Sequence, residues 1–137
     1  MFYLLAAIFY GRYFFNQNMD QEILSALVNS SHEAILATDI SGTILFCNNS
    51  SEHLFNSTTA SLNGKNIYGL LLDKGDEKEI KRIIRLLSDN ESRGLTYLAR
   101  FKNSKSDRPL KIEVKRLNIS KKQIVLFIIT PHTDEEQ

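Results

Sequence analysis

Apolar residues recur along this chain at two spacings, near four in some stretches and two in others, the signatures of helix and strand. Between Gln21 and Asn29, the residues Ile23, Leu24, Leu27 and Val28 fall at i, i+1, i+4 and i+5, which predicts a short helix with one apolar stripe. Ala34 to Thr38 and Thr43 to Cys47 read as two strands joined by Asp39-Ile40-Ser41-Gly42. In that turn Asp39 can accept from amides ahead of it and Gly42 can take a positive φ, so a hairpin is expected. Asn48 is a good N-cap for a short helix continuing through Glu52, His53, Leu54 and Phe55. Thr58 to Leu62 reads as another turn of helix, with Gly64 where a left-handed residue belongs.

The strongest helical pattern runs from about Asp76 to Leu87. Ile80, Ile83, Ile84 and Leu87 repeat at i, i+3, i+4 and i+7 and form its expected buried face. Asp76 and Glu79 read as a capping box, and Lys81, Arg82 and Arg85 follow toward the end, as the macrodipole prefers. Leu95 to Lys102 alternates with Leu95, Tyr97, Ala99 and Phe101 on one side. Leu110 to Leu117 puts Leu110, Ile112 and Val114 one way and Lys111, Glu113 and Lys115 the other. Ile124 to Thr130 is apolar throughout, the mark of a central strand covered on both faces. The links Asn103 to Arg108 and Asn118 to Lys122 read as polar hairpin loops. Two strands, several helices and three hairpin-linked strands imply an α+β fold, an antiparallel sheet with helices on one face.

Met1 to Phe15 (MFYLLAAIFYGRYFF) stands apart as a nearly continuous apolar stretch. It is shorter than the roughly 20 residues that span a bilayer, Arg12 interrupts it, and no small-residue cleavage site follows. Three readings stay open: the inner end of a longer transmembrane helix, an interfacial anchor, or a helix buried in a dimer. The aromatic residues Tyr3, Phe9, Tyr10, Tyr13, Phe14 and Phe15 weigh toward membrane contact. The expected division is a hydrophobic segment and linker over 1–19, one domain over 20–133 with a flanking helix at 20–31, and a tail at 134–137.

Length and composition narrow the function classes. A chain of 137 residues suits one domain, and 42% hydrophobic with 24% charged residues is ordinary globular composition. A net charge of +1 offers no basic field for nucleic acid. The single Cys47 excludes a disulfide framework within the chain and suits a reducing cytoplasm, at the inner face of the membrane if the first segment is an anchor.

Taken in order, these elements resemble the PAS domain family over roughly Ile23 to Thr133. The stretch from Ala34 to Asn48 resembles the family's opening hairpin. Glu52-His53-Leu54-Phe55 resembles its E-x-L-F helix, and Leu62-Asn63-Gly64-Lys65 its L-x-G-K turn. The resemblance implies a five-stranded antiparallel sheet with helices enclosing a small cavity on one face. It also implies ligand binding or self-pairing that passes a signal onward, often just inside the transmembrane helix of a bacterial sensor histidine kinase. Two departures stand out. The end reads Ile128-Ile129-Thr130-Pro131-His132-Thr133 where the family often has Asp-Ile-Thr, and no kinase, cyclase or DNA-binding region precedes Gln137.

Candidate chemistry is sparse. Ser31-His32-Glu33 resembles the phospho-accepting box of histidine kinases, but an apolar strand follows where a long helix is needed. Haem-binding members place a His on the long helix, and Asp76 to Leu87 has none; His32, His53 and His132 share no metal-ligand spacing. Flavin-photosensing members carry a reactive Cys, whereas Lys65-Asn66-Ile67-Tyr68-Gly69 has no thiol and Cys47 reads as a small core residue. Haem, flavin and a metal are therefore not expected, and neither is catalysis, since no nucleophile or phosphate loop appears. Phe46, Leu54, Ile80, Ile84, Tyr97, Ile112 and Val114 are the expected lining of the space between helices and sheet, with Tyr97 its one polar handle. A filled core is weighted above a ligand cavity, because no charged residue marks that interior. The expected function is signal relay through a homodimer formed by Ile23, Leu24, Leu27 and Val28, with small-ligand sensing and a downstream signalling partner. The rival is a ligand-free adaptor docking a protein on its sheet.

Overall fold

In the computed structural model, which describes residues 32–90, 93–102, 104, 108–119 and 121–131, the first apolar run is β1 (Ala34–Asp39) and the next β2 (Ile44–Cys47). Asp39 closes the hairpin between them. Its Oδ1 accepts from the Ser41 amide at 3.0 Å, the Ser41 hydroxyl at 2.6 Å and the Thr43 amide at 3.0 Å. Gly42 turns the chain at φ +98°, where a side chain would be strained. A Cβ there would also lie 2.6 Å from Cε2 of Tyr68.

Asn48 is fully buried and ties three pieces together. Its Oδ1 accepts from the amides of Ile35 (3.0 Å) and Ser51 (3.1 Å), and its Nδ2 donates to the Glu33 carbonyl at 2.9 Å. The cap thus starts helix α1 (Asn49–Phe55) and fastens it to β1 at once. Helix α2 (Thr59–Leu62) is capped by the Thr58 side chain, and a 3₁₀ turn (Ile67–Leu70) by that of Asn66. Helix α3 (Gly75–Leu86) buries Ile80, Ile83 and Ile84, each worth about 1.5–3 kcal/mol on leaving water.

The capping box expected from Asp76 and Glu79 does not form. The helix begins one residue earlier, with Lys74 at the cap position and no side-chain cap bond. Asp73 Oδ1 instead accepts from the Gly75 amide at 2.9 Å, Asp76 accepts from the Tyr97 hydroxyl, and Glu79 pairs with Arg82 at 3.0 Å.

The chain then runs through β3 (Leu95–Ala99), β4 (Leu110–Ile119) and β5 (Lys122–Pro131). Among the described residues these strands make one antiparallel sheet, ordered β2-β1-β5-β4-β3. The apolar β5 lies at its centre, as its composition requires. β4 and β5 are joined by two residues, tighter than the expected loop, with Lys121 at φ +66° as such turns favour. β3 is shorter than its alternation predicts and forms an edge, so Leu95 stays 42% exposed.

The helices α1–α3 pack on one face of the sheet, against Leu36, Ile112, Val114 and Phe127, and Phe55 meets Phe101 edge to face at 5.1 Å. Alternate residues on the opposite face, including Ile35, Ala37, Leu126 and Ile128, are buried as well. Lys115 lies on that face too, only 5% exposed, with its Nζ 3.8 Å from Glu113. No helix among the described residues is long and apolar enough to cross a membrane. The apolar stretch 1–15, the stripe of Ile23, Leu24, Leu27 and Val28, and the expected boundaries at 19, 31 and 133 lie outside the described residues.

Candidate functional site

Six of the seven residues expected to line the interior come together. Ile80, Ile84, Ile112 and Val114 belong to the main core, with Leu54 and Tyr97 packed against it half-buried. Phe46 is the exception. It pairs with Ala37 rather than Leu36, and a register shift between Ala37 and Thr38 sets it on the sheet face away from the helices. Tyr97 does not point a polar group into the core. Its hydroxyl donates to Asp76 Oδ1 at 2.5 Å, tying β3 to the first turn of α3. That bond first, then burial and the carboxylates of Asp76, Glu79 and Asp73, push the phenol up to about 12.

The interior is packed shut. The space bounded by Tyr68, Leu71, Ile80, Phe101, Ile112 and Phe127 holds no volume for a water molecule. Cys47 is one of the core residues, its thiol 3.8 Å from Asn63 Oδ1 and pushed up by burial.

Among the described residues, clefts open at the surface in three places. One, about 520 Å³, lies between Leu72, Leu98 and the start of α3. Two of its polar groups, Asp73 and Asp76, are already taken by the Gly75 amide and Tyr97. A second, about 350 Å³, brings His32 and His53 to one cleft beside Leu54, Leu110 and Ile129, a pairing their separation in sequence hides. Among the described residues no group of three metal-ligating side chains could hold an ion.

The third, about 250 Å³, lies where α3 passes the β1–β2 turn, lined by Ile40, Tyr68, Lys81, Ile84, Arg85 and Arg116. Sequence reasoning missed it. Tyr68 is set by the 3₁₀ turn, whose cap Asn66 also donates to the Ser41 carbonyl at 3.1 Å, lacing turn to hairpin. The Lys81 Nζ stands 5.0 Å from the centre of the Tyr68 ring. Burial, and then Glu77, push the Tyr68 phenol up to about 12. Arg116 reaches the Ile84 carbonyl at 3.2 Å, Gln123 at 3.0 Å and Asp89 at 3.2 Å. One signal pointed here: in β4 the inward series Ile112, Val114 continues to Arg116, a charge at an apolar position.

A family model described as the PAS fold matches residues 22–130. Among solved structures, the chain is similar to the PAS domain of a two-component sensor histidine kinase, with a TM-score of 0.64 and 16% identity, covering 81% of this chain and 95% of that one. It is similar too to the PAS domain of an HTR-like protein from Haloarcula marismortui (0.65, 21%, covering 81% and 90%). A third similar structure is the PAS domain of nitrogen regulation protein NR(II) from Vibrio parahaemolyticus (0.59, 17%, covering 79% and 96%). A comparison with curated proteins returns no match. The sheet order, the helices on one face and the match over most of the chain agree, and the chain belongs to the PAS family.

Proposed function

We propose that this chain is the sensing and signal-relay module of a bacterial two-component-type pathway and works as a homodimer. The observation that carries this reading is the family match over residues 22–130, joined to a fold shared with the PAS domain of a sensor histidine kinase. A PAS domain senses rather than catalyses, so no enzyme activity is assigned. In this reading Ile23, Leu24, Leu27 and Val28 pair across a twofold axis, and residues 1–15 rest on the inner face of the membrane. The output passes to a downstream signalling protein or domain, and no nucleic acid, haem or flavin takes part.

Sedimentation of the full chain tests the dimer. A twofold interface repeats every substitution, so Leu27→Glu brings like charges together and should give a monomer with unchanged far-ultraviolet dichroism. A lowered melting temperature with the sedimentation coefficient unmoved would place Leu27 inside its own fold instead. Wild-type chain sedimenting as a monomer at high micromolar concentration would end the dimer reading.

A second reading, a ligand-free adaptor, draws on the closed interior. Native mass spectrometry separates the two: a bound small molecule favours sensing, and its absence beside a captured signalling partner favours the adaptor.

A further inference from the structure

The groove between α3 and the β1–β2 turn holds a hydroxyl that the fold leaves unused. Tyr68 is 8% exposed, yet its hydroxyl has no hydrogen-bond partner among the described residues. Buried hydroxyls are normally satisfied. The ring packs closely on Gly42, which admits it only for want of a Cβ, and Lys81 stands over its face.

Charge makes the second observation. Three cations line this groove, Lys81, Arg85 and Arg116. Two have carboxylate partners, Glu77 at 2.7 Å from Lys81 and Asp89 at 3.2 Å from Arg116. Arg85 has no such partner among the described residues, so three positive charges face two negative ones. Its place in the last turn of α3 suits the helix dipole and accounts for a cation there. It does not account for the orphaned Tyr68 hydroxyl beside it. Apolar surface completes the walls, from Ile84 and from Ile40, which is 50% exposed.

We propose that this groove binds a small organic monoanion, a short-chain carboxylate. The carboxylate takes the guanidinium of Arg85 and accepts from the Tyr68 hydroxyl, while its short alkyl chain covers Ile40 and Ile84. Arginine suits this task because its planar donors match a carboxylate. At about 250 Å³ the groove is smaller than most drug-sized pockets, which limits the ligand to a few carbons. Such a ligand would bridge α3, the β1–β2 turn and β4, the elements that line the groove. The inference rests on the sensing reading and moves its site from the closed interior to the surface.

Titration of the full, ¹⁵N-labelled chain with sodium butyrate, followed by amide chemical shifts, tests it. Saturable shifts are expected at Ile40, Tyr68, Arg85 and Arg116, with a dissociation constant of about 1 mM, within reach of so small a ligand. Tyr68→Phe and Arg85→Ala should each weaken binding about tenfold. Tyr68→Phe should leave the unliganded melting temperature unchanged or higher, which a hydroxyl needed by the fold would not allow. The neutral probe n-butanol should not shift these amides. No saturable shift with butyrate, or binding by both variants as tight as by the wild-type chain, overturns the proposal. Shifts confined to interior residues such as Ile112 and Phe127 overturn the groove but keep sensing. A monomer in sedimentation, by contrast, defeats the dimer reading whatever butyrate does.

Discussion

Asn48 shows how one side chain joins local and tertiary structure. The same amide caps α1 through the Ser51 amide and holds β1 through Ile35 and Glu33. Replacing it removes a helix cap and strands a buried amide of Ile35. Asn48→Ala should therefore cost about 2–4 kcal/mol, a large share of a typical 5–15. Chemical denaturation measures this directly, and a loss under about 1 kcal/mol would show that water replaces the side chain easily. The capping role of Asn48 could be read from its place before a helical pattern. Its bonds to Ile35 in β1 and to Glu33 just before it could not, because they join residues 13 and 15 positions apart. Tyr68 teaches the converse. Within Lys65-Asn66-Ile67-Tyr68-Gly69 it belongs to no periodic pattern, and its environment arises only when α3 and the hairpin close over it.

At the scale of elements, the Tyr97–Asp76 bond is the one side-chain hydrogen bond between β3 and α3 among the described residues. It holds the phenolic proton in the folded chain, raising that group from its ordinary 10 to about 12. A folded value above the unfolded one means the stabilisation is complete below pH 10 and is lost as the pH rises toward about 12. The stability gap between wild type and Tyr97→Phe should accordingly hold constant below pH 10 and narrow above it. Tyr68 titrates in the same range in both proteins and cancels. A gap that stays constant through pH 12 would show that Tyr97 does not keep this bond in solution. The helix itself was legible: its isoleucines repeat at helical spacing and are buried where that spacing puts them. Its first residue was not, because the acidic pair that reads as a capping box is drawn off by Tyr97 and Arg82.

For the whole molecule, the membrane reading rests on residues 1–15. Full-length chain should float with vesicles containing anionic lipid, and a chain starting at Asn16 should stay with the soluble fraction and keep its dichroism. Flotation of neither, or of both alike, would remove the anchor from the account. The opposite face of the sheet belongs to this scale as well. Phe46, Ala37 and Leu126 are buried there with Lys115 and Leu117, so that face of β4 runs from half-buried Lys111 and Glu113 to a buried end rather than staying wet throughout.

What the sequence determined by itself was the order and kind of the elements, the five strands, the capped helices, the central place of β5 and the family. The elements follow from periods and turn chemistry within a few residues, where local sterics and hydrogen bonds decide, and the five-stranded sheet and the family from the resemblance carried by the motifs between Ala34 and Lys65. Tertiary structure alone decided which face each strand residue serves, since one register shift in β1 and β2 sends Phe46 to the other side. It also decided that the interior is full and that the open groove lies beside it. Packing density and the meeting of Tyr68, Arg85 and Arg116 depend on contacts between distant segments, which no local pattern encodes.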